Sequence, residues 1–251
     1  MNKKTKCLCV GAFFLLVTLK AFGFNSTNNL SISYWDAEYK FQATDSSGNF
    51  SSPNDVWWSY PVFLSDNGRR PNRLNAWIRQ ESLRSLVEPD QFDDLLKLSD
   101  SKLIQVIATR FNGIARSLAS VSSLAGRYLQ IDLIEESIGA AHSSVGLSTL
   151  VYDLVEDKPV DLEQLFKEDS LGQLGQLASS APGCLSPAGL TWKNARFNIH
   201  SATEMFIEQT VSPGDLCENI FKISGPKLKR LLRWPNRMSP PGVVKQISRN
   251  K

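Results

Sequence analysis

The chain has 251 residues, of which 42% are apolar and 21% charged, so it can form one or two compact domains with a real hydrophobic core. The formal charge of +3 depends on the first 23 residues, which contain four lysines and no acid; without them, 24 basic residues face 25 acidic ones. This near-neutral remainder gives no general case for binding nucleic acid or a membrane surface. Since there are only two histidines, we also expect no His-rich metal site, and nothing points to a cofactor.

The N-terminus has the three-part layout of a secretory signal peptide. Lys3, Lys4 and Lys6 precede the apolar run Cys7 to Leu19, and the small residues Ala21 and Gly23 suit cleavage after position 23. A membrane anchor would need about 20 apolar residues, and Lys20 ends this run early. No cysteine lies directly after the cleavage point to carry a lipid. We therefore predict a signal peptide over 1–23 and a periplasmic or secreted protein without a stable membrane anchor.

Cysteine usage is consistent with export. Cys7 and Cys9 leave with the signal peptide, so Cys184 and Cys217 are the remaining pair. Two cysteines in an oxidising compartment most simply form one disulfide. The alternative is a thiol nucleophile paired with His142 or His200, an arrangement that spacing cannot show.

The first half of the chain contains its most aromatic stretch. Residues 30–44 mix aromatic and polar side chains and predict one or two half-buried strands. In the next strand, 56–64, Pro61 favours an edge strand or a strand end. Trp57 and Trp58 in that strand are candidates for a ligand platform, especially for sugars. Alternatively, since neighbours on a strand face opposite ways, one packs in the core and the other under a helix.

Two helices are predicted next, over 72–87 and 101–119, with Ser101 as the N-cap of the second. The second helix is inferred from apolar residues at helical spacing: Leu103, Ile107, Phe111, Ile114 and Leu118.

From residue 121 the pattern changes to strands. Strands are predicted around 128–134 and 147–155, separated by a loop that contains His142. Asp161 and Gln164 have the spacing of a capping box at the start of a helix. The chain should then continue through a short helix at 171–178, a hairpin within 192–209, a strand at 220–223 and a helix from Pro226 to about Leu232.

Residues 233–251 are basic and interrupted by prolines, so we interpret them as a solvated tail. The alternative is a contact with an anionic polymer of the cell envelope.

Three segments resemble a known domain of unknown function. They are Tyr60-Pro61 followed by Leu74-Asn75-Ala76-Trp77-Ile78; Leu129 to His142 with its Gly-Ala-Ala-His ending; and Leu150 to Phe166. Together they resemble the extracytoplasmic domain found in RsiV-type anti-sigma factors and in the non-catalytic part of PdaC-type peptidoglycan deacetylases. Ala140 and Asp157 depart from the usual glycines of that pattern.

The resemblance implies an α+β domain over 24–232, with helices packed on an antiparallel sheet and an extracytoplasmic location. The domain could divide into two subdomains, 30–119 and 120–232. An anti-sigma role is not expected, since only six residues precede the apolar run.

The function predicted from these features is a non-enzymatic binding protein of the cell envelope, whose partner is peptidoglycan or a protein such as lysozyme. No nucleophile elbow, metalloprotease helix or P-loop motif is found in the sequence, so we assign no catalytic residue. His142, Trp57 and Trp58 are the predicted ligand-binding residues; for His142 the alternative is a hydrogen bond to its own loop. Two other functions remain open: a glycan hydrolase that uses carboxylates near the two tryptophans, and a structural component of an envelope assembly.

Overall fold

The computed structural model describes eleven stretches of the chain. They are residues 17–19, 30–41, 54–65, 71–84, 86–87, 89–110, 113–138, 143–179, 190–192, 195–209 and 220–238.

Ten strands and five α-helices make up the regular structure of these stretches. The strands are β1 (Val17–Leu19), β2 (Leu30–Phe41), β3 (Asn54–Ser65), β4 (Ile114–Ala125), β5 (Tyr128–Ile138), β6 (Ser143–Asp153), β7 (Lys158–Val160), β8 (Ala195–Ser201), β9 (Glu204–Gln209) and β10 (Ile220–Ser224). The helices are α1 (Asn72–Arg84), α2 (Phe92–Leu95), α3 (Asp100–Arg110), α4 (Ser170–Ser179) and α5 (Pro226–Leu231). Three 3-10 turns join them, at Pro89–Gln91, Leu162–Leu165 and Pro235–Met238.

Strands β1 to β7 form one large sheet in chain order, and β8 to β10 form a small one. Every pairing is antiparallel except β3 with β4, whose connection runs through α1, α2 and α3. The prediction of an α+β fold with helices on a mainly antiparallel sheet is therefore confirmed.

One face of the large sheet is covered by α1 and α3, and the first hydrophobic cluster lies between them. Trp58, Ile78, Leu103 and Ile131 are completely buried there. Trp58 also donates its indole N–H to Ser82 Oγ of α1 at 2.9 Å, so its one polar atom is paired inside the core.

The small sheet packs against the other face of the large sheet. Along β5, Leu129, Ile131 and Leu133 belong to the helix-covered cluster, whereas Tyr128 belongs to a second cluster with Phe197 and other residues of the small sheet. This alternation follows from the period of two along a strand. Strands β4 to β6 are thus the middle layer between helices and the small sheet.

The edge of β8 faces the large sheet, as its hydrogen bonds show. Gln130 accepts from the Ile199 amide at 2.9 Å and donates to the Ile199 carbonyl at 2.6 Å, while Thr149 Oγ1 accepts from the Phe197 amide at 2.8 Å. Ser123 Oγ adds a bond to the same carbonyl at 3.0 Å. Because strand amides and carbonyls point along the plane of their own sheet, the small sheet stands edge-on upon the large one.

The predicted helix over 101–119 is wrong in its second half. Helix α3 ends at Arg110, Gly113 has a φ of 127°, and β4 begins at Ile114. Ile114 and Leu118 fit helical spacing, yet they also lie an even number of residues apart, and the residues that alternate with them, Ala115, Ser117 and Ala119, are buried. Residues four apart share a face both in a helix and in a strand, so the apolar spacing alone could not distinguish the two structures.

Two local predictions also need correction. Strand β3 lies inside the sheet rather than at its edge, but its pairing with β4 stops at Ser59, so Pro61 has a strand partner only on the β2 side. Asp161 precedes a 3-10 turn instead of an α-helix, and its carboxylate accepts from the Gln164 side chain at 2.7 Å without capping a backbone amide.

Strand β1 lies within the predicted signal peptide. Its three residues pair antiparallel with Leu30, Ser31 and Ile32 of β2. Cys184 and Cys217 lie outside the described residues, so the disulfide stays a prediction, as does the subdomain division. No helix in the described part of the chain is long and apolar enough to cross a membrane.

Candidate functional site

The candidate site is the outer face of the large sheet, which we define as the face turned away from α1 and α3 and not covered by β8. The registers of β3 to β6 bring seven apolar side chains together on it: Trp57, Ile114, Leu118, Ile134, Ile138, Val145 and Leu147. None of them belongs to either hydrophobic cluster of the described residues. Val145 is 54% exposed and Ile138 is 38% exposed. Apolar surface gathered in this way marks a binding surface more often than isolated exposed residues do.

Trp57 lies within this patch. It pairs across the strands with Glu38 and Arg116, and its ring is half-buried. Its indole N–H donates to Asp36 Oδ1 at 2.5 Å, which fixes the orientation of the ring on the sheet. Of the two tryptophans predicted to bind a ligand, only Trp57 lies on this face; Trp58 has no exposed surface.

Asp55 lies two residues before Trp57, at the start of β3. Burial is the main cause that raises the pKa of its carboxyl group, and the nearby Glu38 carboxylate raises it further. The oxygen Oδ1 is buried without a hydrogen-bond partner among the described residues. The adjacent ion pair of Lys40 with Glu38 spans 2.8 Å and is exposed to solvent, so it costs little to displace.

Arg116 lies in the centre of the outer face. Its Nη1 donates to Glu136 Oε2 at 2.8 Å on the neighbouring strand, so the guanidinium is already neutralised. Its Nε is buried and has no acceptor in the described part of the chain.

At the boundary with the small sheet lies the corner cluster, which consists of Asp132, Arg196, Asn198 and Glu208. Asp132 is 4% exposed and accepts from Arg196 Nη1 at 3.1 Å and from Asn198 Nδ2 at 3.4 Å. Arg196 is also paired with Glu208. Burial outweighs these partners and raises the pKa of Asp132.

The third predicted ligand residue, His142, lies outside the described residues. It is the residue before β6, and β5 ends at Ile138 on the outer face. The role predicted for His142 stays a prediction.

A second concavity lies away from this face, beside the start of α4. It has a volume of about 550 Å³ and is lined by Phe166, Lys167, Trp192 and Arg233 among others. Trp192 stacks on Phe166 and Phe197 at 5.0 and 4.9 Å between ring centroids. The charged side chains at its rim are exposed, and we assign no role to it.

No group of three or more histidine, cysteine, aspartate or glutamate residues suited to hold a metal ion occurs within the described stretches.

Asp36, Asp55 and Arg116 were not among the predicted site residues. The predicted helix over 101–119 includes Arg116, which in fact lies on β4, and the predicted strand 56–64 begins one residue after Asp55, which in fact lies on β3. The alternation of the small residues Ala115, Ser117 and Ala119 with Arg116, Leu118 and Ser120 is the signal that could have identified a strand with one closely packed face.

Comparison with solved structures defines the fold class. Two crystal structures of DUF3298 family proteins are similar in fold, one from Bacteroides fragilis and one from Pseudomonas aeruginosa PAO1. The first has 11% sequence identity and a TM-score of 0.54, and the match covers 83% of this chain and 97% of the other. The second has 12% sequence identity and a TM-score of 0.53, and the match covers 85% of this chain and 98% of the other. At this identity the likeness concerns the fold, which is that of a domain of unknown function.

No protein-family model matches the sequence, and no curated protein does.

Proposed function

We propose that this protein is an exported, non-enzymatic binding protein of the cell envelope, and that its ligand binds on the outer face. The observation that carries the proposal is the apolar patch around Trp57, whose residues belong to neither hydrophobic cluster of the described residues and which borders polar atoms without partners among those residues. The signal peptide and the resemblance to RsiV-type and PdaC-type domains support the location. The similarity to DUF3298 structures supports the fold.

The test is capture of partners by the purified protein, with insoluble peptidoglycan and lysozyme offered as separate baits. We expect saturable retention by one of them, and loss of that retention when Val145 is changed to glutamate. Folded protein that retains neither bait would contradict the proposal and favour a structural role in an envelope assembly.

A glycan hydrolase is the second candidate, because carboxylates gather around Trp57. Asp36 contacts its indole, Glu38 pairs with it across the strands, and Asp55 has a raised pKa of the kind that general acids use. Release of reducing ends from peptidoglycan by the wild type, and its absence in Asp55→Asn, would establish this function. A wild-type protein that binds without turnover would exclude it.

A further inference from the structure

Partnerless polar atoms are concentrated on one side of the molecule. Five of the buried side-chain atoms that have no hydrogen-bond partner among the described residues lie on the outer face or in the corner cluster: Asp55 Oδ1, Arg116 Nε, Asp132 Oδ1, Arg196 Nε and Asn198 Oδ1. Native proteins leave few such atoms unpaired, and a ligand is one of the partners, besides ordered water, that can satisfy them.

The chemistry of these atoms identifies the class of partner. Three of them are acceptors and two are donors. Both arginines are already paired with carboxylates, Arg116 with Glu136 and Arg196 with Asp132 and Glu208. Among the described residues, neither arginine of this face is free to bind a phosphate or a polyanion, but hydrogen-bond donors and acceptors lie together on it. A neutral molecule rich in hydroxyl groups matches it, because each hydroxyl both donates and accepts.

The aromatic and apolar surface narrows the class further. Trp57 is held in place by Asp36 and presents a half-buried ring next to the unpaired Asp55 and Arg116 atoms. A sugar ring has an apolar face of C–H groups and a rim of hydroxyls, so it can stack on the indole while its rim reaches the polar atoms. A small polar molecule without such an apolar face could not stack on the indole of Trp57.

The dimensions of the surface indicate a chain of sugars. Asp55 pairs with Ile114 of β4, and Asp132 pairs with Ser120, six residues further along the same strand. Asp55 and Asp132 are therefore separated by six residues of strand on the same face. Six residues of strand span roughly 20 Å, several times the length of one sugar ring. The edge of β8, which packs on the large sheet, bounds this surface at the end that contains Asp132.

We infer that the ligand of the outer face is a neutral glycan chain, which stacks on Trp57 and bonds with its hydroxyl or amide groups to Asp55, Arg116 and the corner cluster. This inference rests on the proposed function and specifies its ligand. The exposed Lys40–Glu38 pair moves aside to admit a hydroxyl to Asp55.

The experiment is a calorimetric and fluorescence titration of the full-chain protein with a linear N-acetylglucosamine tetramer, a glucose tetramer and a heparin fragment. We expect binding of at least one neutral tetramer, little dependence on salt, and no binding of heparin. Trp57→Ala should weaken binding about tenfold, the upper range for one aromatic contact, and Trp57→Phe should abolish the fluorescence change while keeping most affinity. Trp234→Phe, which removes an indole on the C-terminal turn, is the matched control and should change neither.

The outcomes separate the glycan from the proposed function. If neither tetramer binds but retention on peptidoglycan or lysozyme still depends on Val145, the glycan inference is wrong and the envelope-binding function stands. If heparin alone binds, the ligand is anionic and the inference is overturned. If no ligand and no bait is retained by folded protein, both fail.

Discussion

At the level of single side chains, burial and hydrogen bonding shift the pKa values of individual carboxyl groups in opposite directions. Asp132 is the clearest case, because its carboxylate lies between two sheets and burial raises its pKa despite Arg196. Glu156 shows the opposite behaviour: hydrogen bonds from Lys158 and Arg127 lower its pKa to about 2. The difference follows from solvation, since Glu156 is exposed and Asp132 is not.

The raised pKa of Asp132 predicts a specific pH dependence of stability. A carboxyl whose folded-state pKa exceeds its ordinary value of 3.8 favours the folded state most at pH values below 3.8, and this contribution is lost as pH rises through the folded-state pKa. As the pH rises from 3 to 7, the unfolding free energy of the wild type should therefore fall relative to that of Asp132→Asn. Urea denaturation between pH 3 and 7 measures it. A constant difference between the two proteins would show that Asp132 titrates as it does in the unfolded chain.

Gly126 is required by a close backbone approach. Its φ is 61°, and a Cβ there would lie 2.1 Å from the carbonyl oxygen of Arg237. Gly126→Ala should cost at least about 2 kcal/mol, since the left-handed conformation alone costs about 1–2 kcal/mol for alanine and the turn that buries Met238 must also move.

Gly172 is the matched control for that substitution. It lies inside α4 with nothing within 4 Å of its Cβ position. Gly172→Ala should stabilise the protein by up to about 1 kcal/mol. Thermal unfolding of the two variants should therefore move in opposite directions, and equal effects would contradict the close approach.

At the level of strands and helices, the molecule depends on how the small sheet is attached. Side chains of the large sheet pair with the edge of β8: Gln130 with both backbone groups of Ile199, and Thr149 with the amide of Phe197. These bonds satisfy backbone groups that would otherwise be buried and unpaired where two sheets meet at an angle.

Gln130→Leu should therefore cost about 1–3 kcal/mol, because the Ile199 amide loses its acceptor in a buried position. Ser123→Ala should cost less, since the Ile199 carbonyl keeps the bond from Gln130. Denaturant unfolding of both variants tests the order, and a larger effect of Ser123→Ala would contradict it.

The sequence predicted some of these elements well and others poorly. Helix α1, the β8–β9 hairpin and α5 were predicted close to their observed bounds, because each has a local signal: a helical stripe, a pair of short alternating strands, or Pro226 in the first turn. Strand β4 was missed because Leu103 to Leu118 fits a helical period across the turn at Gly113.

The site was predicted only in part for a related reason. Trp57 could be singled out by its aromatic neighbourhood. Its companions Asp36 and Arg116 come from strands 21 residues before and 59 residues after it, so only the register of β2, β3 and β4 brings the three together.

At the level of the whole molecule, the proposed function depends first on export. We expect the mature protein to begin at Phe24, in which case β1 is lost and β2 becomes the edge of the large sheet. Intact-mass measurement of the protein recovered from a secreting host tests this, and peptide mapping tests the Cys184–Cys217 link. A chain that still contains residues 17–19, or two free thiols, would contradict the respective prediction.

Two exposed valines test whether the outer face is the binding surface. Val145 on the outer face is 54% exposed, and Val155 on the β6–β7 turn is 49% exposed. Glutamate at either position meets solvent, so both variants should fold. We would measure retention on peptidoglycan and on lysozyme, with the oligomeric state from sedimentation. We expect that Val145→Glu loses retention and that Val155→Glu keeps it. Equal retention by both variants, or a Val145→Glu protein whose only change is dissociation of a dimer, would show that the outer face is not the binding surface.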